Sequence, residues 1–298
     1  MTEPVIFDRS PWGLVVVSGP DATSFLQAIV SQDLDPVDDG ETVASLLLHP
    51  QGKLDVAFRA TKRGDGHDGG DVWWLDTQPD FGPHLADALT RYKIRVKVDI
   101  EDRTATTGLA SAVGESVWAI VGPPALTIAQ THVLSTDWNG TAGVDVVGPA
   151  EDVRAWIDAS GLRRGTPDEL EALRIGAGVP RLGVDIDEST IPQEAGLEVD
   201  AVSFTKGCFL GQELVCRIDA RGHVNRILRR LSLPGTTVPP HGAEVVRDDK
   251  SVGSVTSAAA VVGEDRVVAL AMVRREVEPP AEVTVRWDGA DAPAVVLS

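Results

Sequence analysis

The apolar positions of this chain change period several times, and each change marks an element. Residues 14–18 form a β-branched run that reads as a strand, stopped at Gly19-Pro20. Behind Asp21, a candidate helix cap, Phe25, Leu26, Ile29 and Val30 recur on one helical face. Residues 43–48 and 54–60 are apolar runs on either side of His49-Pro50-Gln51-Gly52-Lys53. They read as a surface hairpin with Gly52 at positive φ. Residues 72–77 predict another strand, and 81–91 a helix with Leu85, Ala88 and Leu89 inward. From 93 to 100, Ile94, Val96, Val98 and Ile100 alternate with Lys93, Arg95, Lys97 and Asp99. That is the period of a half-buried strand with a solvated charged face.

Further on, 116–121 reads as a strand, 124–130 as a short helix, 142–147 as a strand and 150–160 as a helix ended by Gly161. Thr166 and Glu169 make a capping box with Pro167 at the first helical position, so a helix runs from there to about Gly178. Residues 179–202, with Pro180, Gly183, Pro192 and Gly196, predict a long irregular segment, a kind that often carries function. After Arg230 the chain becomes short strands and turns, the pattern of a small β-barrel. Strands and helices alternate without a glycine-rich dinucleotide turn, which argues for an α+β fold rather than a Rossmann domain.

Composition narrows the function. At 298 residues the chain has room for two or three domains. Forty-five Asp and Glu against 27 Lys and Arg give a net charge of −18. This argues against nonspecific affinity for nucleic acid or for an anionic membrane, both of which need a basic surface. The start, MTEPVIFDRSPWG, has no basic region followed by an apolar core, and no apolar run approaches the roughly 20 residues of a membrane span. The two cysteines are a poor disulfide framework and fit a reducing cytoplasm. The six histidines have no metal-ligand spacing, so no metal site is expected.

One stretch stands apart, residues 203–230. It holds both cysteines, Cys208 and Cys216. Its six cations, Lys206, Arg217, Arg221, Arg226, Arg229 and Arg230, outweigh Glu213 and Asp219 in an otherwise acidic chain. Cys208 lies two residues after Lys206, and a nearby cation favours the reactive thiolate. Gly207, Gly211 and Gly222 remove side chains where a backbone could approach a ligand. Cys216, inside ELVCRI, reads as the packed, inert one of the pair.

The run KGCFLGQE at 206–213, followed by Arg217 and Arg221-Gly222, resembles the signature of the YgfZ-type folate-binding proteins, relatives of the glycine-cleavage T-protein. Further similar segments follow in the same order: SGPDATSFLQAIVSQD at 18–33, HPQGKLD at 49–55, YKIRVKV at 92–98, ALRIGAGVPRLGVDIDESTIPQEAGL at 172–197 and GSVTSA at 253–258. The resemblance implies an α+β, T-protein-like multi-domain arrangement around a central folate cavity. Residues 1–228 would form two intertwined subdomains, about 1–48 with 162–228 and about 49–161, followed by a C-terminal β-barrel at 229–298. It implies tetrahydrofolate or another reduced folate as cofactor, and a role in assembly or repair of iron–sulfur clusters, with iron–sulfur enzymes or assembly proteins as partners. Cys208 and Lys206 would carry the chemistry. Trp12, Glu194, Gly207, Gln212, Glu213 and Arg217 would hold the folate, Trp12 by stacking and Glu194 by accepting pterin N–H groups. A folate-dependent aminomethyl or methyl transferase is the alternative. Against it, the T-protein's RLEAG segment appears here as Arg174-Ile175-Gly176-Ala177-Gly178, and no catalytic aspartate loop is found between Asp76 and Asp99. A non-enzymatic scaffold for a basic partner is a second alternative.

Overall fold

The computed structural model describes residues 3–65, 70–115, 117–121 and 130–297. The chain divides into two compact units, Met1–Arg164 with Glu198–Cys216, and Gly165–Leu197 with Arg217–Ser298.

The first unit contains two five-stranded sheets. One, antiparallel throughout, orders its strands Thr42–Leu48, Leu54–Asp65, Asp71–Thr77, Gly13–Gly19 and Asp99–Asp102. Its apolar runs bury Val15, Val17, Leu47, Val56, Trp73 and Leu75 completely. The helix Gly82–Tyr92 packs on it through Leu85, Ala88 and Leu89, the predicted inward face. The helix Ala22–Ile29 starts after Asp21 as expected, but the Asp21 carboxylate does not cap it. Asp21 Oδ2 accepts instead from the Lys97 N–H at 2.7 Å.

The predicted strand at 93–100 is a correction: only its end is extended, in the edge strand Asp99–Asp102. Arg95 adopts φ +57°, a left-handed conformation that no strand continues through. Ile94 is left 72% exposed, and Val98 is the one apolar residue of the four that becomes buried.

The other sheet orders Arg163–Arg164, Val5–Asp8, Thr107–Val113, Ala142–Pro149 and His132–Asp137. Its central strand, TGLASAV, is buried at every residue. The small residues there give little hydrophobic signal, and the sequence pattern passed over it. Their size has a reason: a Cβ on Gly108 would stand 2.6 Å from Ser10 Oγ and 3.1 Å from Ala150 Cα. The predicted strand at 116–121 is also corrected, because Val117–Val121 is a short helix. The predicted helix at 124–130 lies, but for Gln130, outside the described residues. The Ala150–Ala159 helix is as predicted, and Gly161 follows it at φ +66°.

In the second unit the helix Pro167–Ala177 carries the predicted cap. Thr166 Oγ1 accepts from Glu169 N, Glu169 Oε2 accepts from Thr166 N, and Gly178 closes the helix at φ +79°. Six antiparallel strands close a barrel in the order Arg226–Pro234, Arg266–Arg274, Lys250–Ala260, Glu244–Arg247, Ala281–Trp287, Ala290–Leu297. Valines dominate its interior, among them Val245, Val255, Val267, Val273, Val285 and Val296. Arg174 ties the irregular segment down: its guanidinium donates to Asp185 Oδ2 at 2.8 Å and to the Val179 carbonyl at 2.7 Å. Asp185 in turn accepts from Thr256 of the barrel at 2.5 Å. The fold is thus mixed α and β, with a closed C-terminal barrel. Among the described residues no helix is long and apolar enough to cross a membrane.

Candidate functional site

The KGCFLGQE motif forms a loop that leads into the helix Gln212–Arg221. A dense set of hydrogen bonds joins the loop and the segment before it to residues 27–32, where the Ala22–Ile29 helix ends. Ser31 Oγ donates to the Ala201 carbonyl at 2.5 Å, Gln32 Nε2 to Asp200 O at 2.8 Å, and Ser203 N to Ser31 O at 3.0 Å. Lys206 completes the set. Its Nζ donates to three carbonyls, Gln27 and Val30 at 2.8 Å and Gln32 at 2.9 Å, and stands 5.7 Å from the centre of the Phe209 ring. Burial pulls its pKa from 10.5 down to about 8, while Asp33 and Asp35 act to raise it. The amine is therefore charged at neutral pH.

Cys208, two residues on, is a free and exposed thiol. Gly207 beside it is open: a Cβ added there would meet nothing within 4 Å. Phe209 is buried and anchors the loop, and its N–H donates to Gln212 Oε1 at 3.2 Å. Gln212, the first residue of the helix, thus ties the loop to it, while Glu213 is exposed. Gly211 has φ +75°, and the backbone of the 49–53 turn lies directly against it. That turn is more than a surface hairpin: Gly52, at φ +78°, also abuts Leu214. Cys216 is half-buried on the helix next to Val215, which is fully buried.

Trp12 belongs to a buried ionic network linking the two sheets of the first unit. Its Nε1–H donates to Asp76 Oδ2 at 2.9 Å. Arg59 donates to Asp76 Oδ2 at 2.7 Å and to Asp145 Oδ2 at 2.6 Å, and Ser111 Oγ donates to Asp145 Oδ1 at 2.6 Å. Both carboxylates are 2% exposed. Burial disfavours the charge on Arg59, but the two aspartates outweigh it and hold the guanidinium firmly protonated. Arg9 lies 4.5 Å from the Trp12 ring centre and 5.6 Å from that of Trp138, so a guanidinium covers the indole face.

The other two predicted ligand residues lie in the second unit. Glu194 is 6% exposed; it accepts from Arg226 Nε at 2.9 Å on Oε1, and from Ile191 N at 3.0 Å and Arg226 Nη2 at 3.3 Å on Oε2. Its hydrogen bond holds Arg226 above its ordinary pKa. Arg217 is exposed on the helix.

Comparison with known proteins bears on the fold and kinship of the chain. Residues 226–298 match the glycine cleavage T-protein C-terminal barrel domain. A tRNA-modifying protein YgfZ of Klebsiella pneumoniae (strain 342) is 28% identical over 297 residues, covering 93% of this chain and 87% of that protein. An aminomethyltransferase of Nostoc sp. (strain PCC 7120) is 28% identical over 324 residues, covering 98% of this chain and 83% of that protein. A solved structure, the glycine cleavage system aminomethyltransferase T from Bartonella henselae, shares the fold, with a TM-score of 0.84 over 100% of this chain and 86% of that one at 20% identity. Over most of its length the chain is similar both to YgfZ proteins and to aminomethyltransferases, and its C-terminal barrel matches that of the glycine cleavage T-protein.

Two features bear on which side of that relationship the chemistry falls. At Gly176, where the T-protein segment carries a glutamate, the space is open: a Cβ would meet nothing within 4 Å. Its carbonyl accepts from Arg230 Nη1 at 3.0 Å. The second feature escaped the sequence reading. Asp55, whose side chain is 6% exposed, pairs with His84 Nε2 at 2.6 Å, with His49 at 3.8 Å and Arg91 at 3.9 Å. A carboxylate hydrogen-bonded to an imidazole is a pairing that general acid–base chemistry employs. Its members are 29 positions apart, on a strand and a helix, so no local spacing betrays it. Among the described residues no cluster of His, Cys, Asp and Glu is arranged to hold a metal ion.

Proposed function

We propose that this protein binds a reduced folate, tetrahydrofolate in the first instance, and uses the Cys208 thiol to support assembly or repair of iron–sulfur clusters in client enzymes. The observation that carries the reading is the contrast around Cys208. The thiol is exposed, yet the loop that presents it is fixed through Lys206, Ser203, Phe209 and Gly211. A cysteine kept for packing is normally buried; rigid presentation of an exposed one suits chemistry on a partner.

The folate part rests on kinship with the T-protein and on donor chemistry. Glu194 keeps an unused lone pair on Oε1 beside its bond to Arg226, which fits one pterin N–H. Trp12 fits a stacked pterin once the ring takes the place of the Arg9 guanidinium. Gly207, Gln212, Glu213 and Arg217 are assigned to the ligand or partner surface of the motif. The bound folate would supply a one-carbon acceptor. Cytoplasmic location is assigned from the cysteine usage, and the acidic composition argues against direct nucleic-acid contact.

The test is thermal unfolding with tetrahydrofolate and its formyl and methylene forms, on the wild type and Cys208→Ser. A ligand that binds only the folded state raises Tm by mass action. Both proteins should show the rise, and only the wild type should support iron–sulfur enzymes in cells. No rise with any reduced folate removes the cofactor from the reading.

The Asp55–His84 pair favours a second reading, folate-dependent one-carbon transfer, because it offers a base that such a reaction needs. Single-turnover transfer with folate present, lost in Asp55→Asn, would promote it above the first.

A further inference from the structure

The carbonyls of Gln27, Val30 and Gln32 have no place in the helix ladder. The Ala22–Ile29 helix ends with Val30 N donating to Leu26 O at 2.9 Å, and the next amide, Ser31 N, turns away to Leu46 O at 3.0 Å. Gln27 O thus loses its helical donor, as the last carbonyls of any helix do. The end of a helix is also its negative pole. Three acceptors converge there on one point, 2.8, 2.8 and 2.9 Å from Lys206 Nζ. An ammonium has three N–H donors and no acceptor, so number and type match completely. Asp33 and Asp35 lie close enough to favour the charge, and the Phe209 ring faces it from the loop's own side.

We propose that these three carbonyls are a built ammonium site, filled by the chain's own Lys206, and that filling it is what fixes the loop that presents Cys208. Lys206 is then a positioning residue rather than an activator of the thiol. All three donors of its head group point at backbone, and the order it imposes runs through the loop to Phe209. A neutral side chain of the same length cannot serve, because it leaves three part-buried carbonyls without their shared donor. An alkylammonium ion from solution can, because its head group is the same. The proposal rests on the reading of Cys208 as the working thiol only for its biological meaning; the site itself does not depend on it.

The experiment compares full-length wild type with Lys206→Met and Lys206→Ala at pH 7, following amide hydrogen exchange across residues 203–211. Lys206→Met keeps the aliphatic stem. Exchange in the loop should rise at least about tenfold, since bonds to a charged donor are among the stronger ones, while the two sheets stay protected. In Lys206→Ala, methylammonium chloride should restore slow exchange, and tetramethylammonium chloride at equal ionic strength should not. Unchanged exchange in Lys206→Met overturns the proposal. So does a loss of protection spread over both sheets, or equal action of the two salts. Cys208→Ser separates the two claims: if it supports client enzymes fully while keeping slow loop exchange, the reading of Cys208 fails and the ammonium site stands.

Discussion

Gly211 lies so close to His49 that a Cβ on it would stand 2.4 Å from the His49 carbonyl oxygen. Its φ of +75° adds a second bar to any side chain. Gly211→Ala should therefore lose about 2 kcal/mol or more, combining the left-handed penalty with the backbone clash. Gly207→Ala, where the space is open, should cost far less. Urea unfolding of the two variants checks the ordering. Equal midpoints would mean that the contact between motif and turn is not tight.

Arg59 is the hub between the two sheets. Arg59→Leu leaves Asp76 and Asp145 buried without their main counter-charge, and breaking such a pair from one side costs about 3–5 kcal/mol. Arg59→Lys should recover only part, because one ammonium cannot reproduce the fork that reaches both carboxylates. Chemical denaturation at neutral pH reads both values.

His132 makes a pH prediction. Its Nδ1 faces Arg63 Nη1 at 3.0 Å, and an arginine can only donate, so Nδ1 accepts and Nε2 carries the proton toward Thr42 Oγ1 at 3.2 Å. Burial first, then Arg63 and more weakly Arg59, lower its pKa from 6.5 to about 4, against Asp76 and Asp39. Between those values the unfolded chain binds the proton and the folded one does not, so stability falls as pH drops from 6.5 toward 4. His132→Gln should show a shallower loss over that window. An unchanged slope in denaturant midpoints between about pH 7 and 5 would contradict the assignment.

The two thiols should separate in mild alkylation at neutral pH. Cys208 is exposed and Cys216 half-buried, so peptide mapping should find Cys208 labelled first. Bound folate should slow that labelling. Equal rates at the two cysteines would speak against a special role for the motif loop.

Much of this architecture is legible in the residues, and the failures have physical causes. The capping box at Thr166 and Glu169 is local chemistry, and it forms as read. The 93–100 alternation misled because periodicity does not report a backbone sign, and Arg95 turns left-handed there. The strand Thr107–Val113 was silent because it packs through Gly, Ala and Ser. The barrel's last strand, Ala290–Leu297, carries Pro293, which breaks the apolar run. The turn before it was a usable signal: Asp288-Gly289, at φ +39° and +77°, is a two-residue hairpin pair. In the site, Cys208 stands out by composition. The partners of Lys206 do not, because they are backbone carbonyls 174 to 179 positions away.

The most direct measurement is complementation. In cells lacking their own YgfZ-type protein, Cys208→Ser and Cys216→Ser variants of this chain would be expressed at equal level and the activity of iron–sulfur enzymes assayed. Serine replaces sulfur with little loss of volume, and Cys208 is exposed, so both variants should fold. Cys216→Ser should restore activity and Cys208→Ser should not. Full restoration by Cys208→Ser would contradict the reading of Cys208 as the working thiol.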